Sequence, residues 1–116
     1  MIKKVVKKEV IKVYLSRSKY PESAAHIEYA IEHGASASLT LERDGADENR
    51  KKSLKGITPK KGKDRDEYPF AMCKEGGKGA SVRYISPSDN RGAEAFISAK
   101  LRGYPDGTTF IIVIVP

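Results

Sequence analysis

The stretch Asp64-Arg65-Asp66-Glu67 sets three carboxylates around one guanidinium, in a chain whose formal net charge is +7. Further along, Ser88-Asp89-Asn90-Arg91 is followed by Glu94. On a strand alternate side chains share a face, so Asp64 and Asp66 point one way and Arg65 and Glu67 the other. On a helix Asn90 and Glu94 are one turn apart on nearly the same face. Carboxylate and carboxamide oxygens gathered with Asp66 would suit a hard divalent cation, Mg²⁺, Mn²⁺ or Ca²⁺, rather than zinc. With one or two protein ligands, such a site leaves positions for water and a phosphate. Phosphodiester hydrolysis needs a base for water, a cation for the developing charge and basic groups to hold the backbone. Here a carboxylate of the Asp64, Asp66 and Glu67 cluster would be the base and the Asn90 region, with Glu94, the cation site. Arg65 and Arg91 would meet the phosphate. Free aspartate is a weak base, with a pKa of about 3.9, so burial or the crowding of Asp64, Asp66 and Glu67 would have to raise it.

Each residue also has an ordinary explanation. Four charges in a row are most often a solvated loop end. Asn90 serves equally well as a cap and Glu94 as an acid favoured in a first helical turn. Arg65 either contacts a phosphate or pins a loop. Lys61 and Lys63, in PKKGK, either hold a nucleic-acid backbone or are simply solvated. His26 is a candidate for the site but fits a structural histidine better, lying far upstream. His33 suits a helix C-terminus, where a cation is favourable. Glu75, in a glycine turn, is expected to be solvated but stays a candidate. Cys73, with no histidine nearby in sequence, reads as a small buried residue and not a nucleophile.

These residues need a scaffold that brings 64–67 to 90–94. VIKVYLS alternates as a strand, and PESAAHIEYAIEHG reads as a helix with Pro21 in its first turn and Gly34 ending it. SASLTLER is a second strand with Leu39 and Leu41 on one face. DGADENRKKSLKG makes a turn and a short polar helix, and ITPKKGKDRDEYP is a loop. EYPFAMC reads as a strand, KEGGKG as a turn supplying glycines for positive φ, and ASVRYIS as the return strand. Ser88 or Asp89 would cap the helix NRGAEAFISAKLRG. After the YPDG turn, TTFIIVIV is a continuous apolar strand expected at the centre of a sheet. The expectation is one α+β domain, 1–116, with a mostly antiparallel sheet and flanking helices, containing a ββα unit over about 64–102.

The 116 residues bound the chain to a single domain, and 39% apolar content is globular and not disordered. A pI near 9.5 favours polyanionic partners, although solubility alone also explains it. One cysteine allows no internal disulfide. No stretch spans a membrane, and MIKKVVKKEVIKVYL has no uninterrupted apolar core, so no signal peptide is expected there. The chain then reads as cytoplasmic, or as a mature form or excised module. Few aromatics lie among the lysines, so phosphate contact without base stacking would make binding non-specific and salt-sensitive.

At YPESAAHI, ERDGAD, SLKGI, DRDEYPFAMCKEGGKGASVRYISPSDNRGA and YPDGTTF, in that order, the chain resembles the NucA/NucB deoxyribonucleases, bacterial nucleases of sporulation and DNA entry. The resemblance runs from about Ser18 to the C-terminus. It implies a secreted, non-specific endonuclease acting on DNA and dependent on Mg²⁺ or Mn²⁺, with activity on RNA left open. Its active site would be similar to that of ββα-metal nucleases. Those enzymes carry a histidine base on the first strand of the unit, where this chain has none. The family uses an aspartate instead, which falls on Asp66, and its helix-start asparagine falls on Asn90. Its phosphate-contacting arginines match Arg65 and Arg91. Where members often have Gly-Ser-Trp, this chain has EAFISAKL, so Glu94 is not carried over from the family. A second cysteine is replaced, at Leu39, so the family disulfide is expected to be missing. A monomer is expected, with DNA and a protein inhibitor as partner classes and no membrane. Two alternatives keep the fold: a nuclease toxin module of a larger secreted protein, and a non-catalytic nucleic-acid-binding domain. A mere binder of polyanions gains nothing from Asp64, Asp66 and Glu67.

Overall fold

A computed structural model describes residues 10–116. The expectation that MIKKVVKKE belongs to no signal peptide lies outside the described residues.

The order is β1 (Ile11–Ser16), α1 (Pro21–Glu32), β2 (Leu39–Thr40), a 3₁₀ turn (Arg43–Gly45), α2 (Ala46–Leu54), β3 (Asp64–Tyr68), β4 (Ser81–Ile85), α3 (Pro87–Leu101) and β5 (Thr109–Val115). The fold is α+β, as expected, with the strands in two small sheets. One has the order β1-β5-β2, and the other is the antiparallel pair β3-β4. The apolar strand β5 is indeed central, antiparallel to β2 and parallel to β1. A parallel neighbour cannot be reached by a tight turn, so the chain between β1 and β5 is one long crossover. The expected second strand is cut to two residues, followed by an isolated bridge from Leu41 to Cys73. EYPFAMC is strand only to Tyr68: a cis bond precedes Pro69, and the segment turns there.

One core joins the two sheets. Val13, Leu15 and Phe110 from the larger sheet meet Ile27 and Ala30 of α1, and Ala93, Ile97 and Leu101 of α3. The α3 positions are four apart, which puts them on one stripe of the helix. Burial of each larger side chain contributes about 1.5–3 kcal/mol. Cys73 is free and buried in this cluster beside Leu39 and Leu41. α2 buries only Ser53, in keeping with its polar sequence.

Two helices that carry site residues are stitched together by an acid. Ser86, not Ser88 or Asp89, caps α3, accepting a hydrogen bond from the Asp89 amide. Asp89 is turned away and buried. Its carboxylate accepts hydrogen bonds from the Glu22 and Ser23 amides at 2.8 and 3.0 Å and from the Ser23 hydroxyl at 2.6 Å. Tyr20, the residue before α1, offers no side-chain cap of its own. Asp89 therefore caps α1 from another helix, while Glu22 accepts from the Ser86 amide in return. Close approach of the two helices depends on Gly92: a β-carbon there would lie 2.8 Å from the Tyr20 ring.

Candidate active site

Among the described residues, β3 has a strand partner on one side only. An open cavity of about 500 Å³ is lined by Asp64, Arg65, Asp66 and Glu67 of β3, by α2 at Arg50 and by α3 at Asn90, Arg91 and Glu94. Ile27, Ala93 and Ile97 supply apolar lining. Lys63 lines the cavity, whereas Lys61 lies outside its lining, exposed in the preceding turn.

The alternation expected of a strand is what the contacts follow. Asp64 and Asp66 turn toward α3 and α1. Asp64 Oδ2 accepts from Asn90 Nδ2 and Arg91 Nε, both at 3.0 Å, and Oδ1 accepts from the second Arg91 nitrogen at 3.1 Å. Asp66 Oδ2 lies 2.7 Å from Nδ1 of His26, which is fully buried on α1. The other two side chains turn toward α2 and the loop after it. Arg65 donates to the Ile57 carbonyl at 2.9 Å, so it pins the loop. Glu67 accepts from the Ser53 hydroxyl, with Arg50 Nε 3.7 Å from its other oxygen.

Crowding was expected to act on these acids together, but their surroundings separate them. The Arg91 hydrogen bonds, and then that of Asn90, hold the Asp64 carboxyl below the ordinary carboxylate range against partial burial. Burial pushes Glu67 above it, opposed by Ser53 and Arg50 and reinforced by the charge of Asp66. Arg91 is raised in turn by its bonds to Asp64, yet 72% of its side chain stays exposed and within reach of a ligand.

The carboxylate that touches Asn90 is thus Asp64, not Asp66. A carboxylate only accepts, so it fixes the Asn90 amide with its nitrogen toward Asp64, leaving Oδ1 without a protein partner among the described residues. Glu94 is exposed and lines the same cavity one turn later. Among the described residues, no three His, Cys, Asp or Glu side chains are grouped for a metal. A full protein cage is therefore not what the donors offer. One carboxamide oxygen and one carboxylate do fit a hydrated hard cation that keeps most of its water.

Glu75 is not part of this arrangement. Instead of being solvated, it accepts from the Thr40 amide and hydroxyl at 2.7 and 2.9 Å and ties the glycine turn to β2. Arg50, Ser53 and Ser81 were not foreseen. Arg50 and Ser53 share a face of α2 by their spacing, which is a usable signal, but nothing in sequence links Ser81 to His26. Nε2 of His26 lies 2.9 Å from the Ser81 hydroxyl.

Residues 21–113 match the family model described as deoxyribonuclease NucA/NucB. The chain is also similar to a protein of Bacillus subtilis (strain 168) named DNA-entry nuclease, with 57% identity over 96 residues. That alignment takes in 83% of this chain and 65% of the relative, so the chain spans about two-thirds of the relative's length. The family match includes every candidate residue from His26 to Glu94, and on that coverage the chain belongs to the NucA/NucB deoxyribonuclease family.

Proposed function

We propose that this chain is a metal-dependent endonuclease that hydrolyses DNA phosphodiester bonds without sequence preference, with Asp66 as general base. One observation carries the reading: Asp66 lines the cavity with one oxygen held by His26 and the other without a partner among the described residues, and Asn90, Arg91 and Glu94 line the same space. The free Asp66 oxygen would take a proton from a water as its oxygen attacks phosphorus. Arg91 and Lys63 would hold non-bridging phosphate oxygens, and Arg65 would keep the loop of Ile57 against the hairpin. A Mg²⁺ or Mn²⁺ held by Asn90 Oδ1 and Glu94, with water in its other positions, would stabilise the negative charge that builds on the phosphate. Contact through phosphates, made by Arg91 and Lys63 at the cavity wall, supports binding without sequence preference. The relative's name supports DNA as the substrate. RNA as a second substrate, action outside the cell, a monomeric state and a protein inhibitor belong to the same proposal.

The test is incubation with supercoiled plasmid and Mg²⁺, Mn²⁺ or EDTA. Nicked and then linear DNA should form with metal and not with EDTA. Plasmid that stays intact under every condition overturns the reading in favour of a binding domain.

A further inference from the structure

Position 26 lies on the face of α1 that packs Ala24, Ile27 and Ala30 into the protein, yet it holds an imidazole with no exposed surface. Burying a polar ring among apolar side chains is costly unless both nitrogens are paired. Both are: Nδ1 faces Asp66 Oδ2 at 2.7 Å and Nε2 faces Ser81 Oγ at 2.9 Å. An ionised carboxylate only accepts, so Nδ1 carries a proton and donates it to Asp66. The Ser81 hydroxyl can donate to Nε2 of the neutral ring or accept from it in the imidazolium. Ser81 therefore satisfies the ring in either state and holds its orientation.

We propose that His26 is the positioning residue of Asp66, and that Ser81 positions His26; the assignment rests on Asp66 being the base. The ring grips Oδ2 and leaves Oδ1 as the one oxygen available to a water in the cavity. An aspartate on a strand has two free side-chain torsions, and Arg83 is its direct neighbour across the β3-β4 ladder. Without the imidazole, nothing among the described contacts selects the rotamer that faces the cavity. The line from α1 through β3 to β4 depends on Ser81 standing opposite Tyr68 in the register, which the glycine turn before β4 sets. Within that turn Gly77 has φ +97° and packs against Asn49.

Two substitutions separate positioning from packing. In His26→Asn the side-chain amide falls where Nδ1 was and keeps the donor to Asp66. In His26→Gln the amide falls where Nε2 was and keeps only the contact to Ser81. Cleavage of a fluorophore-quencher duplex with saturating Mn²⁺ would be measured beside the melting temperature of each variant. His26→Gln should lower kcat by about 10- to 100-fold with KM nearly unchanged, and His26→Asn should recover most of that loss at a similar melting temperature. Ser81→Ala, at a strand end and only half-buried, should fold and lower kcat by a smaller factor of roughly 3 to 10. If neither histidine variant folds, Ser81→Ala decides: wild-type kcat there overturns the assignment. Wild-type kcat in His26→Gln, or equal losses in the Asn and Gln variants, also overturns it. Asp66→Asn is assayed alongside. If that variant stays active, the base reading itself fails; if it is dead while His26→Gln cleaves normally, only the role of His26 fails.

Discussion

Asp89→Ala tests the contact that holds the two site-bearing helices together. Asp89 is 8% exposed, and its carboxylate receives two backbone amides and a hydroxyl, all from the start of α1. Loss of a helix cap alone costs about 1–2 kcal/mol. Hydrogen bonds to a charged group contribute about 1.5–3 kcal/mol each, though three to one group do not add fully. Removal of a buried charge offsets part of this, and water can reach Glu22, which is half-buried. The net expectation is a loss of about 3 kcal/mol. At roughly 4 °C per kcal/mol for a chain of this size, the melting temperature should fall by about 12 °C. Asp89→Asn keeps one acceptor and should fall by about a third as much. Hydrogen exchange adds the location, because protection should be lost at the Glu22 and Ser23 amides. Had Asp89 capped its own helix, as the sequence suggests, the loss would be only about 1 kcal/mol and protection would fade at the start of α3. A melting temperature within about 2 °C of wild type, or unchanged exchange at Glu22 and Ser23, would refute the cross-helix cap.

Asp66→Asn should abolish plasmid cleavage and leave melting nearly unchanged, since the amide oxygen can still accept from His26; general-base loss is about 10²–10⁴-fold, and cleavage within threefold of wild type would rule Asp66 out. Asn90→Ala should lose activity and regain part of it at high Mn²⁺, which accepts mixed ligands more readily than Mg²⁺; no recovery with any cation would count against Asn90 as a ligand. Glu94→Gln should reduce cleavage and weaken Mn²⁺ binding measured by calorimetry, whereas unchanged metal affinity would leave Glu94 with only a helix-end role. Glu67 is raised by burial, so the folded state holds its proton more tightly than the unfolded chain. Stability from this group is then present below the unfolded value of 4.5 and is lost as pH rises through the raised folded value. Glu67→Gln, which keeps the Ser53 bond, should therefore melt higher than wild type at neutral pH, with the gain fading as the pH falls below that range. Burial pushes the Cys73 thiol up to about 12, so alkylating reagents should leave it untouched until the protein unfolds, and dithiothreitol should not shift melting.

Much of this protein is local and was therefore legible in its sequence. Pro21 and Gly34 bracket α1 because one suits a first turn and the other, at φ +102°, a helix exit. The apolar, β-branched run of β5 reads as a central strand, and it is the middle strand of its sheet. The alternation of Asp64 and Asp66 against Arg65 and Glu67 follows from the period of two, which no tertiary contact alters. The motif run from DRDE to NRGA was enough to mark the family. What the sequence could not settle were contacts between residues far apart in the chain. Glu75 reads as solvated until Thr40 is brought to it, Asp89 reads with Ser88 as a cap of its own helix until α1 arrives, and His26 reads better as a structural histidine than as a site residue until β3 lies alongside. EYPFAMC has the composition of a strand, but Pro69 has no amide to continue a ladder. Acid strength was the least legible property. Asp64 and Glu67 are three residues apart in one strand, yet an arginine from α3 lowers the first and burial beneath α2 raises the second. That difference depends on desolvation and distance, and both exist only once the helices are packed.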